Sequence, residues 1–483
     1  MKEVKLTILA LWFLLFTNVS WASFDGDPYN DLFMVLSYPS QTEPGTFDGQ
    51  LWWYEYYPDY PTSPVGWRVL DYEGDPNDGV CIGEPFTAVA IGNFDGDKYI
   101  DLLVGTSGKI RWYEAYANDT STLVANIPVP YPVREMKLTN LETGHNGTIG
   151  MGSLYVATGD PSSGGAVLKL DAVGNNETHL YTLMQWFDKL YNAVCPYDLD
   201  SDGKTELVVG WGIRPGVGDP NLGKVWLYEI TEPNIVLPVR ALVEDRSGGD
   251  DIIAGDFDGD SLTDVFVSSG GSGGPQAGRV QWFEADGTDN GVRGDLTPIV
   301  MQGRAQHLIL ADFDGDSYKD LLASKYGYNT SGSPIRGTLW FEATGNNTLA
   351  NPGTFSSQYN SSCLAAGDWD QDAYTDLFQG SGLNVNGVTR TKVNYDEATG
   401  DNTFAYVVAP WSGQTYVTEA VMANGPDFCG ENGTVYAQFD LNFDCIEDFK
   451  DLKLFADNWL NSNNFGDFAN LAEFWMQDTN PAY

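Results

Sequence analysis

The sequence has little cysteine, little histidine and few cationic residues. Five cysteines among 483 residues do not frame a disulfide-built fold. The three histidines, His145, His179 and His307, show neither metal-ligand nor catalytic-triad spacing. Lysine and arginine total 25 against 67 acids, and the formal net charge of −42 argues against nucleic acid and anionic membranes as partners.

Long apolar runs are also scarce. The single one, residues 6–16, follows Lys2 and Lys5 and precedes small residues at Ser20 and Ala22. This arrangement is typical of a secretory signal, predicted here as residues 1–22, and the run is short for a membrane span. The alternative is a retained membrane anchor. We therefore expect an exported chain, secreted or on the cell surface, with no membrane span after processing.

No motif for common catalysis stands out. Phosphate-cradling loops and paired cysteine ligands are absent from the sequence. Residues 270–274, GGSGG, match the nucleophile-elbow pattern formally, but they lie in a glycine-rich loop with no helix after it. Whether the chain is an enzyme stays open, and the sequence favours a negative answer.

The acids that are abundant concentrate in short loops, of which DFDGDSLTD is the clearest. Its carboxylates occupy positions one, three, five and nine of the loop: Asp256, Asp258, Asp260 and Asp264. Such groups repel one another unless a cation lies among them, and a hard dication with about six to eight oxygen ligands fits this set. The glycine at position four, Gly259, permits the tight turn.

Similar loops recur along the chain. Six of them predict metal ligands, namely Asp25, Asp27 and Asp31; Asn93, Asp95, Asp97 and Asp101; Asp198, Asp200, Asp202 and Glu206; Asp256, Asp258, Asp260 and Asp264; Asp312, Asp314, Asp316 and Asp320; and Asp368, Asp370, Asp372 and Asp376. Each loop leads directly into an apolar segment that we predict to be a strand.

A second marker counts the repeats. Apolar strands that end in an acid recur 54 to 59 residues apart, at Glu55, Glu114, Asp171, Glu229, Glu284, Glu342 and Asp396. The third repeat is present by this measure, although its loop (Asn140, Glu142, Gly144) has lost the ligand pattern. The sequence therefore predicts seven repeats.

Each repeat contains about four short strand patterns with glycine-rich turns, which favours propeller blades over a helical solenoid. The loops and their period resemble the FG-GAP/VCBS repeat family, the calcium-loop propellers found in integrin α-subunits and bacterial secreted proteins. The resemblance covers roughly residues 23–424. It implies Ca²⁺ at the loops and an all-β, seven-bladed β-propeller of four-stranded blades, predicted here over residues 23–425.

Ring closure has a candidate strand. Cleavage after Ala22 would leave the first repeat without a leading strand, and residues 416–425 match the apolar segment before the second loop. We predict that this late strand completes the first blade, which would remove open sheet edges. A plain linker strand is the alternative.

The last segment, residues 426–483, follows a different pattern. Acids and an amide have EF-hand-type spacing at Asp440, Asn442, Asp444, Asp448 and Asp451, although Cys445 replaces the usual glycine. An amphipathic helix follows over 449–459, and a partial second copy begins at Asp467. The segment resembles a type I dockerin, which implies a small α-helical calcium-binding domain and a cohesin-like or cell-surface partner. A sorting or attachment tail is the alternative.

Two smaller features complete the predictions. Cys429 and Cys445 are close enough in sequence to form a disulfide within the tail. Cys81, Cys195 and Cys363 occur singly, and the last two are expected to be buried thiols.

Aromatic residues crowd residues 52–61. Tyr56, Tyr57 and Tyr60 are candidates for stacking on sugars or, alternatively, for packing between blades.

Three functions fit these features. The leading one is a non-catalytic, calcium-stabilised binding or adhesion module for an extracellular glycan or protein, attached through its tail. The second is a polysaccharide lyase or glycosidase on a propeller scaffold, because fold does not settle function. The third is a cell-surface scaffold component. Binding without turnover would support the first function, product release the second, and self-assembly the third.

Overall fold

The computed structural model of the chain describes residues 31–39, 47–55, 68–72, 85–96, 100–117, 120–139, 152–174, 176–200, 202, 204–213, 223–231, 234–243, 249–269, 278–288, 290–294, 296, 299–301, 304–313, 318–328, 334–350, 353–354, 361–367, 369, 375–385, 388–398, 404–413 and 416–423. Within these ranges there is no helix, and none that is long and apolar enough to cross a membrane.

The described residues form antiparallel strands that pair into seven sheets. The first three sheets contain β1 (Asp31–Pro39), β2 (Phe47–Glu55) and β3 (Arg68–Tyr72); β4 (Ala88–Gly92), β5 (Asp101–Gly105), β6 (Lys109–Ala117) and β7 (Thr120–Pro128); and β8 (Val133–Thr139), β9 (Ser153–Asp160), β10 (Gly164–Gly174) and β11 (Glu177–Trp186). The fourth and fifth contain β12 (Lys189–Tyr197), β13 (Glu206–Ile213), β14 (Gly223–Thr231) and β15 (Ile235–Val243); and β16 (Asp251–Gly255), β17 (Asp264–Ser269), β18 (Gly278–Ala285), β19 (Val292–Arg293) and β20 (Ile299–Met301). The sixth and seventh contain β21 (Arg304–Ala311), β22 (Asp320–Tyr328), β23 (Pro334–Gly345), β24 (Thr348–Leu349) and β25 (Gly353–Thr354); and β26 (Ser361–Gly367), β27 (Asp376–Val385), β28 (Val388–Ala398) and β29 (Phe404–Gly413). The last strand, β30 (Tyr416–Ala423), joins the first sheet.

Within each sheet the strands form a meander in chain order, except that β30 is added beside β1 in the first sheet. The fifth and sixth sheets have five strands because their fourth strand is interrupted: β19 and β20 pair with different parts of β18, as β24 and β25 do with β23. Residues 256–263 connect the first strand of the fifth sheet, β16, to the second, β17, and residues 198–205 connect β12 to β13 in the fourth sheet. These two acidic loops thus lie at the same place in their sheets.

The first and last described strands pair with each other. β1 and β30 are antiparallel from Asp31↔Ala423 to Ser37↔Tyr416, with one irregularity after Val35. The late strand therefore lies where the sequence predicted it. Contacts between leading strands run from β4 through β8, β12, β16, β21, β26 and β30 back to β4.

Burial differs between the leading and the outer strands. β4 (AVAIG) is buried at every residue, and so is β16 (DIIAG), because each packs between neighbouring sheets. The outer strands β11 and β15 carry exposed residues among partly buried ones. Apolar clusters join adjacent sheets: Trp112 packs in one cluster with Leu138 of the next sheet, and Trp282 in another with Phe341. Neighbouring sheets therefore share apolar clusters.

Close approach between neighbouring sheets selects a small residue at the end of β5. A Cβ at Gly105 would lie 2.5 Å from Cγ1 of Val133 in the next sheet. Such a distance is far below van der Waals contact, so any side chain there would push the two sheets apart.

The all-β prediction is confirmed for the described residues, and Cys195 and Cys363 are buried as expected. The helical tail 426–483, Cys429, Cys445, Cys81, the leader 1–22 and Tyr56, Tyr57 and Tyr60 lie outside the described residues. The domain boundaries at 22 and 425 accordingly remain predictions.

Candidate metal centres

The loop between β16 and β17 brings three of its four predicted ligands together. One carboxylate oxygen from each of Asp256, Asp258 and Asp260 lies within 4.8 Å of the others. Backbone amides hold this geometry: Gly259 N–H donates to Asp256 Oδ1 at 2.8 Å, and Leu262 N–H donates to Asp260 Oδ1 at 2.9 Å. Gly259 has φ +75°, the left-handed conformation that glycine adopts without strain.

One oxygen of this cluster lacks a donor. Asp258 is only 2% exposed, and its Oδ1 has no hydrogen-bond partner among the described residues. A buried carboxylate oxygen without a partner is costly, and a bound cation would satisfy it. The cluster is therefore chemically suited to a hard dication, with Asp256, Asp258 and Asp260 as the residues that would hold it.

The fourth predicted ligand, Asp264, lies outside the 4.8 Å cluster and is fully buried. Its Oδ2 accepts the Phe257 N–H at 2.8 Å, and its Oδ1 accepts the Trp282 indole N–H at 2.6 Å. The carboxylate thus joins the start of the loop to the third strand of its sheet.

The same bonding recurs at the ninth loop position elsewhere. Asp101 accepts from Phe94 N–H at 2.7 Å and from Trp112 Nε1–H at 2.6 Å. The Trp53 indole N–H donates to Asp31. Two further ninth-position acids accept the amide of the second loop residue: Phe313 N–H to Asp320 at 3.0 Å and Trp369 N–H to Asp376 at 2.9 Å. This acid therefore has a structural role in every loop where it is described.

The loop between β12 and β13 forms the second cluster, with a different ligand set. Oxygens of Asp198, Asp200 and Glu206 lie within 4.8 Å of one another. Glu206 accepts the Leu199 N–H at 2.8 Å, and Leu227 stands at the strand position that tryptophan occupies in the fifth sheet. The fifth-position Asp202 instead binds the Lys204 ammonium and accepts its N–H at 2.9 Å. The longer side chain of Glu206 thus joins the cluster of its own loop. Asp264, at the same loop position, does not join the cluster of its loop.

Burial disfavours the ionised forms of these acids. It raises the pKa of Asp101, Asp264 and Glu206 to about 8 in each case, against opposing hydrogen bonds. Burial also raises the pKa of Asp256, with further increases from Asp258 and Asp260. A cation among the carboxylates would favour the ionised forms and lower these pKa values.

The other predicted sites are described only in part. Asn93 and Asp95 lie in the second-sheet loop, where Gly96 N–H donates to Asn93 Oδ1 at 2.7 Å. Asp312 precedes Phe313 in the sixth sheet. The remaining predicted ligands fall outside the described residues: Asp25, Asp27, Asp97, Asp314, Asp316, Asp368, Asp370, Asp372, Asp440, Asn442, Asp444, Asp448 and Asp451.

The acidic loops of the second, fourth and fifth sheets are also tied to the next sheet. An asparagine in the turn between the third and fourth strands of the following sheet donates its backbone N–H to the third-position aspartate of the loop. The pairs are Asn176 with Asp95 at 2.8 Å, Asn290 with Asp200 at 2.8 Å, and Asn347 with Asp258. All three asparagines have positive φ, between 53° and 60°.

The junction at Asn347 has further contacts. The Asn347 side-chain amide donates to Glu284 Oε1 at 2.8 Å, while the amide of Asn346 donates to Asp260. Glu284 is fully buried and also accepts from Arg293 at 2.7 Å. The metal loop, the third-strand acid and the turn of the next sheet therefore form one polar network.

The third sheet replaces this network with a lysine. Ser153 stands at the ninth-position acid and Lys169 at the tryptophan position, as the pairing of Ser153 with Asp171 shows. The Lys169 ammonium lies 3.3 Å from Asp171 and donates to Asn234 of the fourth sheet at 3.2 Å. Lys169 is 4% exposed, so a side-chain cation lies at this junction.

A separate acid pair lies on the leading strands. Glu135 of β8 accepts the Val194 N–H of β12 at 2.8 Å, and Asp251 of β16 accepts the Leu308 N–H of β21 at 2.8 Å. Lys137 lies 3.3 Å from Glu135 and 3.9 Å from Asp251. Burial raises the pKa of Glu135 well above its ordinary value; Lys137 opposes this, while Asp251 adds to it by charge and by a side-chain hydrogen bond.

The acidic periodicity identified the loops but not their partners. The tryptophans were visible as aromatic strand residues without an assigned role. The turn asparagines do carry a sequence signal, because Asn176, Asn234 and Asn347 each follow a third-strand acid by five residues. Glu135 and Asp251 lie 116 positions apart and share no motif, so no local pattern predicts their contact.

Comparison with known proteins identifies one repeat. Residues 256–323 match the FG-GAP-like repeat family, and this segment includes the first metal cluster. This match supports an FG-GAP β-propeller. No curated protein matches the chain significantly.

The solved structures that are similar to the chain include the following three. The Dos1 propeller has 12% identity and a TM-score of 0.45, over 76% of this chain and 80% of that one. A functionally unknown protein from Desulfotomaculum acetoxidans has 10% identity and a TM-score of 0.45, over 80% and 99%. The V. cholerae biofilm matrix protein Bap1 has 16% identity and a TM-score of 0.33, over 58% of this chain and 39% of that one.

Proposed function

We propose that the chain is an exported, calcium-stabilised seven-bladed β-propeller that acts as a non-catalytic binding module for an extracellular glycan or protein. Its C-terminal segment would attach it to a cohesin-like or cell-surface partner. The sheets supply a rigid ring, and the ions neutralise acid clusters at the turns between first and second strands.

The observation that carries this proposal is the cluster of Asp256, Asp258 and Asp260. Three carboxylates share a small volume, and the buried Asp258 Oδ1 has no donor among the described residues. Carboxylate oxygens are the ligands that Ca²⁺ prefers. Asp258 is almost fully buried, which favours an ion with a structural role over one that meets substrate.

The hydrogen bonds around the clusters support a structural role as well. Asp258 accepts from the turn of the next sheet, and Asp264 is bound to Trp282 of its own sheet. An ion here would hold a loop whose other contacts all belong to the scaffold. The binding role then belongs to the exposed surface of the ring, where side chains are free to meet a ligand.

Two measurements test the proposal. The purified protein is freed of metal with chelator, and its melting temperature and bound metal are measured while Ca²⁺ is returned. We expect several ions to bind and the melting temperature to rise. A chain that binds no divalent ion, or melts identically with and without chelator, contradicts the metal component.

The binding component needs a separate assay. Glycans and polysaccharides are screened with parallel readouts of binding and of product release. Binding without turnover supports the proposal. Release of cleaved products would establish the enzymatic alternative instead, and self-assembly without any ligand would establish the scaffold alternative.

A further inference from the structure

The acidic loop of the fifth sheet, residues 256–263, lies against the turn between β23 and β24 in the sixth sheet. Every residue of these two segments is described. The backbone N–H of Asn347 donates to Asp258 Oδ2, and the side-chain amide of Asn346 donates to Asp260 Oδ2. The turn therefore holds two of the three clustered carboxylates.

Two acceptor oxygens at this contact lack donors. Asp258 Oδ1 and Asn347 Oδ1 are both buried, and neither makes a hydrogen bond with any described residue. Asp258 as a whole is only 2% exposed. Nearly all buried polar atoms in native proteins have partners, and two acceptors cannot satisfy each other. The contact therefore needs a cation or a donor that the described residues do not supply.

The side-chain amide of Asn347 has a fixed orientation. Its nitrogen donates to Glu284 Oε1 and to Asn346 Oδ1, at 2.8 Å in each case. Because the nitrogen already serves two acceptors, the oxygen is the atom left for a further partner. Asn347 has φ +55°, a left-handed conformation that asparagine adopts more readily than most residues. The residue that binds Asp258 through its backbone thus has an amide oxygen available for an ion.

The loop itself supplies fewer ligands than its sequence pattern predicts. Ca²⁺ takes about six to eight oxygen ligands. Asp264, the predicted fourth ligand, lies outside the carboxylate cluster, and its two oxygens accept from Trp282 and Phe257. In the fourth sheet the acid at the same loop position, Glu206, does join the cluster. An ion in the fifth-sheet loop would therefore lack a ligand that the fourth-sheet loop provides.

We propose that Asn347 supplies the missing ligand, with its side-chain oxygen bound to the ion that the carboxylates of Asp256, Asp258 and Asp260 hold. The ion site is then built from two neighbouring sheets. This inference rests on the calcium-stabilised propeller proposed above and deepens it. Asparagine side-chain oxygens are ordinary ligands of Ca²⁺, and this one adds a ligand without adding negative charge.

Charge favours an ion over a water molecule at this place. A water molecule would donate to Asp258 Oδ1 and Asn347 Oδ1, but it would leave the three carboxylates unneutralised. Oxygens of those carboxylates lie within 4.8 Å of one another, where like charges repel strongly. A dication satisfies both acceptor oxygens and also offsets the repulsion among the acids.

An ion shared in this way joins the fifth sheet to the sixth. Without metal, hydrogen bonds alone link the loop to the turn, and with Ca²⁺ a metal bond is added. Because a ligand stabilises the state that binds it, calcium should order the turn as well as the loop. Calcium would thus strengthen a joint between neighbouring sheets.

Hydrogen exchange of the full chain, in Ca²⁺ and in chelator, tests this inference. Mass spectrometry follows peptides that cover the loop and peptides that cover the turn. In the parent, calcium well above its dissociation constant should slow exchange at least about tenfold in both segments. Asn347→Gly keeps the backbone N–H and tolerates the positive φ but removes the oxygen. Calcium should then still protect the loop, while protection of the turn should fall to about twofold or less.

A rescue variant and a control accompany that measurement. Asn347→Asp keeps an oxygen at the same position and should retain calcium-dependent protection of the turn, although it loses the amide that donates to Glu284. Asn234→Gly is the matched control, because Asn234 has φ +75° in the corresponding turn of the fourth sheet and accepts from Lys169. That variant should show parental calcium protection of the turn at Asn347.

Parental calcium protection of the turn in Asn347→Gly would overturn the proposal, because the side-chain oxygen would then contribute nothing. A crystal structure of the calcium-loaded protein gives a second check, in which Asn347 Oδ1 should lie about 2.3–2.6 Å from the ion. A water molecule between that oxygen and the ion, or an ion shell without Asn347, would also overturn it.

Failure of this inference is distinguishable from failure of the broader proposal. Calcium that protects the loop but not the turn in the parent removes Asn347 as a ligand and leaves the calcium-stabilised propeller standing. Calcium that protects neither segment shows that the fifth-sheet loop binds no ion, which contradicts the proposed metal role itself.

Discussion

The backbone N–H of Asn347 donates a hydrogen bond to the Asp258 carboxylate, although 89 residues separate the two. Asp258 belongs to the metal cluster of the fifth sheet, and Asn347 lies in a turn of the sixth. The contact therefore joins an ion-binding loop to the neighbouring sheet. Equivalent bonds from Asn176 and Asn290 make this a repeated joint between sheets.

Replacing Asn347 by glycine should destabilise the protein by roughly 1–3 kcal/mol, because buried Glu284 loses the amide that donates to its Oε1. Glycine tolerates the positive φ of 55°, so backbone strain does not contribute. Urea unfolding measures the change. Asn347→Ala should cost more because alanine resists that φ. Equal stability of the glycine variant and the parent would show that the side-chain bond contributes nothing.

Asp258→Asn should reduce the rise in melting temperature that Ca²⁺ produces. The variant removes one negative ligand, and we expect a calcium affinity at least about tenfold weaker for this site. In chelator it should melt at or above the parent temperature, because repulsion with Asp256 and Asp260 is relieved. Calorimetry with and without Ca²⁺ checks both.

The control for that variant is Glu177→Gln, which removes one negative charge from an exposed position of β11. Its calcium response should equal that of the parent. A parental calcium response in Asp258→Asn would show that the cluster binds no ion.

Trp282→Phe should cost roughly 1–3 kcal/mol beyond the effect of the smaller ring, because Asp264 Oδ1 loses its donor while fully buried. Trp226→Phe is the matched control, since that indole N–H has no partner among the described residues. Equal losses in the two variants would assign the whole effect to packing. Chemical denaturation of both proteins measures the difference.

Lys169→Met should destabilise the third sheet by roughly 3–5 kcal/mol, because Asp171, which is only 4% exposed, loses the cation that it pairs with. The loss should be the same in Ca²⁺ and in chelator, since this junction uses an ammonium group. A double variant, Lys169→Met with Asp171→Leu, should recover part of the stability. A loss that appears only in chelator would contradict the assignment.

Glu135→Gln should flatten the dependence of stability on pH. Because the pKa of Glu135 is raised in the folded state, protonation of its carboxyl contributes to the stability of the folded protein. This contribution is fully present at pH values below the ordinary pKa of about 4.3. The parent loses that gain as pH rises through the raised value, whereas glutamine is neutral throughout. Lys137, Asp251 and Cys195 also lie around this carboxyl, and His307 lies 4.0 Å from Asp251.

Urea unfolding in calcium buffer at pH 5 and pH 8 measures this effect. The parent should lose more free energy of unfolding between the two than Glu135→Gln does. Glu177→Gln, which lies outside the cluster, should follow the parent. Identical losses in all three proteins would show that Glu135 titrates normally.

Sequence periodicity anticipated much of the fold because it repeats locally. Each strand and each acidic loop depends on residues close in sequence, so the all-β architecture and the position of the clusters were predictable. The late strand 416–423 was also predictable, since its apolar pattern matches the leading strand of the second repeat.

The roles of individual acids were less predictable. Asp202 and Asp260 occupy the same loop position, yet one binds Lys204 and the other lies in a carboxylate cluster. Asp264 and Glu206 share the ninth position, but only the glutamate enters its cluster. Side-chain length and the residue on the third strand decide between these outcomes, and neither is visible in the loop pattern alone.

The repeat, the strand type and the concentration of negative charge in loops can be predicted from the sequence, because these features depend on neighbours within a few residues. Contacts between sheets, in contrast, require the tertiary structure: Asn347 with Asp258, Lys169 with Asn234, and Glu135 with Asp251. Those contacts depend on how sheets pack against one another. Packing brings together residues far apart in the chain, and no local periodicity encodes their distance.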